Sequence, residues 1–322
     1  MKVLITGTTG FVGSHLAEYC LKKDNVQVYG IKRWRSPLDN LRGIEDKVSL
    51  IDCDLRDENS VVLAMQKIKP ERIFHLAAQS YVPTSYTAPR DTLETNVIGT
   101  LNMLEAVRCA GIDPLIHICS SSEVYGQVYE NEIPITENNP LRPQSPYALS
   151  KVAEDLLSYQ YFKSYGLRTI RTRAFTHTGP RRGAVFAESA FAKQIAEIEA
   201  GKKEPVIYVG NLDSVRTFMD VRDIVNAYWL ALEKGIPGEV YNIGGEVTKK
   251  VGDMLNTLLD LSPVGKKSKI EVDARLLRPS DVTLQIPSVE KFREQTGWKP
   301  IIPFEKTMKD LLDYWRAMTK GS

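Results

Sequence analysis

The chain has 322 residues, with 42 lysines and arginines against 40 aspartates and glutamates, a formal net charge of +2. An apolar content of 43% beside 25% charged residues belongs to a folded globular protein and excludes disordered and fibrous classes. Such a balance offers no basic face for a nucleic acid or an anionic membrane, and no run nears the roughly 18 apolar residues of a membrane-crossing helix.

Short β-branched runs at Lys2–Thr6, Gln27–Lys32, Val48–Cys53, Arg72–His75, Pro114–Ile118 and Arg168–Ala174 predict strands. Between them, Val12–Lys23, Asn59–Ile68 and Leu93–Ala110 carry apolar residues at helical spacing. Strand and helix in alternation predict right-handed crossovers and an α/β fold with a parallel, doubly wound sheet. A long helix is predicted from Tyr147 to Tyr165, closed by Gly166. Beyond about residue 175 the elements shorten. A loop, THTGPRRGAVF, leads to a helix over Ser189–Ala200, a strand at Val206–Val209 and a helix over Val221–Glu233. Helices at Met254–Leu261 and Phe304–Met318 follow. The predicted division is a dinucleotide-binding domain over 1–174 and a smaller α/β substrate-binding part over 175–322, with interleaved segments and no linker.

The N-terminal MKVLITGTTG runs directly into a strand and turn without a signal-peptide core, so a cytoplasmic location is expected. Cys20, Cys53, Cys109 and Cys119 stand singly in apolar segments and read as buried thiols. His15, His75, His117 and His177 show no ligand spacing, and no metal is expected.

The first strand enters Gly7-Thr8-Thr9-Gly10-Phe11-Val12-Gly13 and then a helix. Glycines there allow a tight turn and bring backbone amides to a pyrophosphate at the helix N-terminus. Sites for NAD commonly end the second strand in an acid that holds the ribose 2′-hydroxyl. Here that place reads Ile31-Lys32-Arg33-Trp34-Arg35-Ser36, and Arg33 suits a 2′-phosphate, so NADP is expected rather than NAD. Asp54 and Leu55 would flank the adenine; Leu76, Ala77 and Ala78 would pass close to the nicotinamide ribose.

Tyr147 and Lys151 lie four apart, on one helix face. A phenol is a weak base near neutral pH, and a neighbouring ammonium makes its phenolate accessible. The fifth strand ends in Cys119-Ser120-Ser121-Ser122-Glu123-Val124-Tyr125-Gly126, at the sheet edge where such folds place their chemistry. Ser121 could bond the reacting oxygen, and Glu123 could take a proton from the carbon beside a ketone.

Together, GxxGxxG at 7–13, SSSEVYG at 120–126 and YxxxK at 147–151 resemble the extended short-chain dehydrogenase/reductase enzymes of nucleotide sugars, over nearly the whole chain. Within that group, GIKRWRS, AAQSYVPTSY, PRRG, VGNLDSVR and RPSDV resemble the GDP-mannose 4,6-dehydratase family. The resemblance implies a Rossmann fold, tightly bound NADP, a GDP-sugar substrate and a homodimer or homotetramer built partly on the RWRS loop. It implies Ser121, Glu123, Tyr147 and Lys151 as catalytic residues and adds His177 to the cofactor set. Ser80, Ser122, Thr176, Lys193, Tyr208, Arg216 and Arg278 fall on the substrate side, with Arg181 and Arg182 as further basic candidates for a diphosphate. Two positions depart from the family: Ser121 replaces its usual threonine, and Thr176 the asparagine before its histidine. Serine at the first position is also usual in the related GDP-4-keto-6-deoxymannose reductases and 4-epimerases, which remain alternatives, with a non-catalytic dinucleotide-binding scaffold as a remote one. The second position bears on how the substrate diphosphate is held.

Overall fold

The computed structural model describes residues 1–277 and 284–320. The first half alternates as its periodicity predicts. It runs β1 (Lys2–Thr6), α1 (Phe11–Leu21), β2 (Gln27–Lys32), β3 (Ser49–Asp52), α2 (Glu58–Ile68) and β4 (Arg72–His75). Then come α3 (Val82–Thr87), α4 (Pro89–Leu93), α5 (Gly99–Cys109), β5 (Leu115–Ser121), α6 (Pro146–Tyr165) and β6 (Thr169–Ala174). The second half supplies β7 (His177–Thr178), α7 (Ala187–Glu199), β8 (Val206–Val209), β9 (Val215–Asp220), α8 (Val221–Lys234) and β10 (Val240–Ile243). It ends with β11 (Val247–Lys250), α9 (Val251–Asp260), β12 (Lys269–Val272), β13 (Leu284–Gln285), α10 (Glu290–Thr296) and α11 (Phe304–Lys320).

Seven strands form the main sheet in the order β10-β6-β5-β4-β1-β2-β3, every pair parallel. Helices cover both faces, so the central strands are apolar on both sides. Ile5, Phe74, Leu16 and Tyr228 lie in one core cluster, Leu4, Ile73, Ile116 and Ile118 in the other, all fully buried. This is the doubly wound Rossmann arrangement that the strand–helix alternation predicts. Its seventh strand comes from the second half: β10 lies against β6, with Val240 opposite Arg171. The remaining strands make a small sheet, β11-β9-β13 with β7 on β9, and a separate pair, β12-β8. Among the described residues, no helix is long and apolar enough to cross a membrane.

Two expectations are corrected. The helix foreseen over Leu93–Ala110 is instead α4, a π-helical stretch at Glu94–Ile98, and α5. The wide turn carries Asn96, which is wholly buried. Its side chain accepts from the Gln79 amide at 2.8 Å and donates to the Gln79 carbonyl at 3.1 Å, an exchange that overrides regular helical winding. All four cysteines are free, but Cys109 at the end of α5 is exposed and Cys119 only half-buried. An apolar run of sequence does not fix which face of the helix a single residue occupies.

Helix α6 begins at Ser145, whose side chain accepts from the Ala148 amide at 3.0 Å, continues through Pro146 in its first turn, and stops at left-handed Gly166. Its inward face is polar: Ser150, Lys151, Glu154, Asp155 and Ser158 are all buried. Asp155 bonds Arg171 and Arg173 of β6, each at 2.9 Å. Arg171 also donates to the Gly238 carbonyl at 2.7 Å, and Arg173 to the Tyr125 hydroxyl at 3.0 Å. Although burial opposes ionisation, these guanidinium groups hold the Asp155 carboxyl below its usual range. Asp155→Ala would leave two buried cations uncompensated. It should cost about 3–5 kcal/mol in denaturant unfolding, and a loss under about 1 kcal/mol would show that solvent replaces the carboxylate.

Candidate active site

The parallel strands end together at one edge of the sheet, and the chain turns there repeatedly. After β1, Gly7 has a φ of +72°, and a Cβ on it would lie 2.9 Å from the Ala77 backbone. At Gly13 a Cβ would lie 2.1 Å from the Gly7 carbonyl oxygen. The Gly10 amide donates to Gly7 O at 3.0 Å, and Asn40 donates to the Thr9 carbonyl at 3.0 Å, fixing the turn. Helix α1 starts at Gly10 without a side-chain cap and has no acidic residue in its first turn. The helix therefore brings no anion of its own to that terminus, where amides and the dipole favour a phosphate. The cradle fits a dinucleotide pyrophosphate. Val12 packs against the adjoining core.

The ends of β1 and β4 are joined by one hydroxyl: Thr6 Oγ1 accepts from the Leu76 and Ala77 amides at 3.1 and 3.2 Å. Ala78 is half-buried beyond them, and Ser80 is exposed. After β2, Lys32 is bonded to Asp52, so Arg33, which is exposed, is the nearer candidate for a 2′-phosphate. The Arg35 guanidinium lies 4.7 Å over the ring of Trp34, itself 71% exposed. Asp54 pairs with Arg56 at 2.7 Å, which holds its carboxyl below the ordinary range, with Arg33 contributing in the same direction. Leu55 is buried, and its carbonyl accepts from Asn102 at 2.8 Å.

At the end of β5, the Ser121 hydroxyl accepts from the Glu123 amide at 3.2 Å, and Ser121 lies near enough to the Tyr147 phenol to favour its ionised form. Glu123 is half-buried. Lys151 Nζ lies 6.0 Å from the Tyr147 ring centre and donates to the Cys119 carbonyl and to Glu154, each at 3.0 Å. Ser121, Tyr147 and Lys151 are thus brought together from β5 and α6, as the motifs predict. Burial pushes the phenol up, and Lys151 and Ser121 pull it back. Burial also works against the charge on Lys151, but Glu154 and Tyr147 outweigh it and hold the ammonium above its usual range. Beneath it, His75 bonds Thr6 and Thr100 and is pushed down to about 3 by burial and by Lys151. It is neutral at neutral pH.

His177 sits beside the glycine turn. Its ring stacks on Phe11 at 6.1 Å and 8°, and its Nδ1 is 2.9 Å from the Phe175 carbonyl oxygen. Burial, helped by the Arg182 charge, pushes it down to about 4. The Arg182 guanidinium lies 3.5 Å over the Phe186 ring and 5.2 Å over that of Phe11, and pairs with Glu188 at 3.3 Å. Arg181, by contrast, is committed to structure: it bonds Glu18 at 2.7 Å and the Asn40 carbonyl at 3.1 Å, tying the second half to α1.

The remaining substrate-side residues are spread over the smaller part. Ser122 is buried and donates to Gln285 at 2.7 Å, while Thr176 accepts from the Met219 amide at 3.1 Å through its carbonyl. Lys193 on α7 lies 3.8 Å from Glu197, and its neighbour Gln194 bonds the backbone of Tyr208, whose side chain is 48% exposed. Arg216 stands opposite Gln285 in the small sheet. Arg278 lies outside the described residues. Asn96 was not foreseen as part of the site. It ties the 77–80 loop to α6 through a 2.8 Å bond to Ser150, and an asparagine inside an apolar helix pattern was its signal.

A Rossmann sheet, a glycine turn under its first helix, and a serine–tyrosine–lysine group at the strand ends define an extended short-chain dehydrogenase/reductase. Residues 4–311 match the profile of the GDP-mannose 4,6 dehydratase family, and the chain belongs to that family. It is 31% identical to the GDP-6-deoxy-D-mannose reductase of Pseudomonas aeruginosa, covering 99% of this chain and 98% of that one. It is 32% identical to the GDP-mannose 4,6-dehydratase of Yersinia enterocolitica, covering 97% and 92%. Among solved structures, RMD from Pseudomonas aeruginosa complexed with NADPH is similar at a TM-score of 0.83 and 30% identity, over 98% of this chain and 99% of that one.

Proposed function

We propose that this protein is an NADP-dependent GDP-mannose 4,6-dehydratase of the cytoplasm, with residues 1–174 holding the cofactor and 175–322 the nucleotide sugar. The observation that carries the reading is Glu123, a half-buried carboxylate at the end of β5 whose amide donates to the Ser121 hydroxyl. The glycine cradle, Arg33, Asp54, Leu55, Leu76–Ala78 and His177 would hold the dinucleotide, which when bound supplies the hydride acceptor and donor. Tyr147, its phenolate favoured by Lys151, takes the proton of the sugar 4-hydroxyl, and Ser121 steadies that oxygen as it becomes a ketone. The ketone acidifies the C5 proton. Glu123 removes it and returns a proton to the C6 hydroxyl, which leaves as water. C6 then takes back the hydride that left C4, and C5 takes the solvent-exchanged proton held by Tyr147, which restores the phenolate. Ser80, Ser122, Thr176, Lys193, Tyr208, Arg216 and Arg278 are the proposed contacts to the sugar, diphosphate and base.

A second reading, GDP-4-keto-6-deoxymannose reductase, is supported by Ser121 and the likeness in length to the Pseudomonas aeruginosa reductase. We also infer a homodimer or homotetramer. Leu149, Leu156 and Tyr159 lie exposed along α6, with Ile98 exposed just before α5, an apolar surface that a second copy would cover. Sedimentation should therefore give at least a dimer, and a monomer at micromolar concentration would remove this part of the reading.

Cofactor choice is tested by Arg33→Asp. Losing a charge-assisted contact should weaken NADP by about 1.5–3 kcal/mol while leaving NAD little changed. A parent protein that prefers NAD would overturn the assignment.

The reaction is tested with GDP-mannose and sub-stoichiometric NADP⁺ in deuterated water. The expected product is a 4-keto-6-deoxy sugar carrying deuterium at C5, and Glu123→Gln should slow its formation by roughly 10²-fold or more. If GDP-mannose is untouched while a supplied 4-keto sugar oxidises NADPH mole for mole, the reductase reading stands instead.

A further inference from the structure

Helix α6 places a second ionisable group on the buried side of the Tyr147–Lys151 pair. Glu154 lies three residues beyond Lys151 on the same face, with its side chain 1% exposed against 4% for the lysine. Its Oε2 accepts from Nζ at 3.0 Å, and its Oε1 is buried without a hydrogen-bond partner. A carboxyl placed so deeply, with one oxygen unpartnered, is a poor way to gain stability alone. We propose that Glu154 is a positioning residue acting on Tyr147 through Lys151: it anchors the ammonium at the Cys119 carbonyl and offsets its charge, so the phenol keeps its proton until a further positive charge enters the site. The proposal rests on the reading of Tyr147 and Lys151 as the reacting pair.

The other groups facing this pair do not supply that offset. From α6, Asp155 is already matched by Arg171 and Arg173. From β4 and β5, His75 and His117 are both pushed down to about 3 by burial and are neutral. Burial pushes the Cys119 thiol up, and likewise the Tyr228 hydroxyl of α8, 3.2 Å from that sulfur. Arg182, from the loop before α7, is cationic and is paired with Glu188. Glu154 itself is pushed up to about 7 by burial, so it is ionised throughout the alkaline range in which a phenol titrates. Its charge therefore opposes that of Lys151 over that whole range.

Tyrosine labelled with ¹³C at Cζ reports the phenol directly, and Tyr147→Phe identifies the resonance. In Glu154→Gln the hydrogen bond to Nζ can persist while the charge is gone. The Tyr147 midpoint should then fall by on the order of one pH unit, the size of a unit charge acting at short range in a partly screened interior. Glu154→Asp, which restores the charge, should return the midpoint toward the parent. A midpoint within about 0.2 pH unit of the parent in Glu154→Gln, or a rise, overturns the proposal, because a merely structural glutamate would leave the phenol unmoved. If Glu154→Gln does not fold, Glu154→Ala, with room for water at Nζ, gives the same reading. No sugar is needed for this measurement. A shifted midpoint in a protein that leaves GDP-mannose unchanged would overturn the dehydratase reading alone.

Discussion

The buried polar face of α6 is the constraint on which the site depends. Helices in doubly wound folds ordinarily turn an apolar stripe to the sheet. This one turns Tyr147, Ser150, Lys151, Glu154, Asp155 and Ser158, and each must find a partner or carry the full penalty of desolvation. The partners fix the helix in depth and rotation. Ser150 is held by Asn96, Lys151 by the Cys119 carbonyl, and Asp155 by two arginines of β6; Ser158 accepts from Thr169 through its carbonyl at 2.8 Å. A slip of one residue would break all of them at once. The position of Tyr147 is precise because the structure around it leaves no alternative register.

Electrostatic order follows from the same burial. The histidines nearest the site are kept neutral, so the Lys151 ammonium is not diluted by neighbouring imidazolium charge. The anions are placed individually rather than as a cluster. Asp54 is on Arg56, Asp155 on its arginine pair, and Glu154 on the lysine itself. The first turn of α1 has no acid, which keeps one positive helix end for a phosphate. Charge is thus sorted along the strand ends, with cation at the phenol and bare amides at the glycine turn.

Much of this was legible in the sequence, for identifiable reasons. Strands β1, β2 and β4 lie where the β-branched runs place them, because a buried parallel strand needs an apolar run bounded by turns. The limits of α6 were written in Ser145-Pro146 and Gly166. The glycine turn and the serine–tyrosine–lysine group follow from short local patterns. What escaped was non-local. That Arg181 binds Glu18, 163 residues away, while Arg182 stacks on Phe186, cannot be told from two adjacent arginines. The π-helical stretch depends on a loop that Asn96 must meet, and the exposure of Cys109 on which face of α5 meets α2. Local spacing carries no information about either.

Strand β10 gives the molecule a property of a different kind. Taken from the second half, it closes the edge of β6: the Arg171 amide donates to Glu239, the Gly238 amide to Thr169, and the Phe175 amide to Ile243. The same stretch gives Arg171 the Gly238 carbonyl and, through Asn242, a partner for Tyr125. Tyr125 lies in the loop that carries Glu123. The two halves are therefore not interchangeable modules. A chimera joined at the loop after β6, with the first half of one relative and the second half of another, would import a foreign strand into the main sheet and a foreign support for the Glu123 loop. Divergence in such a fold is easier by substitution within loops than by recombination of halves.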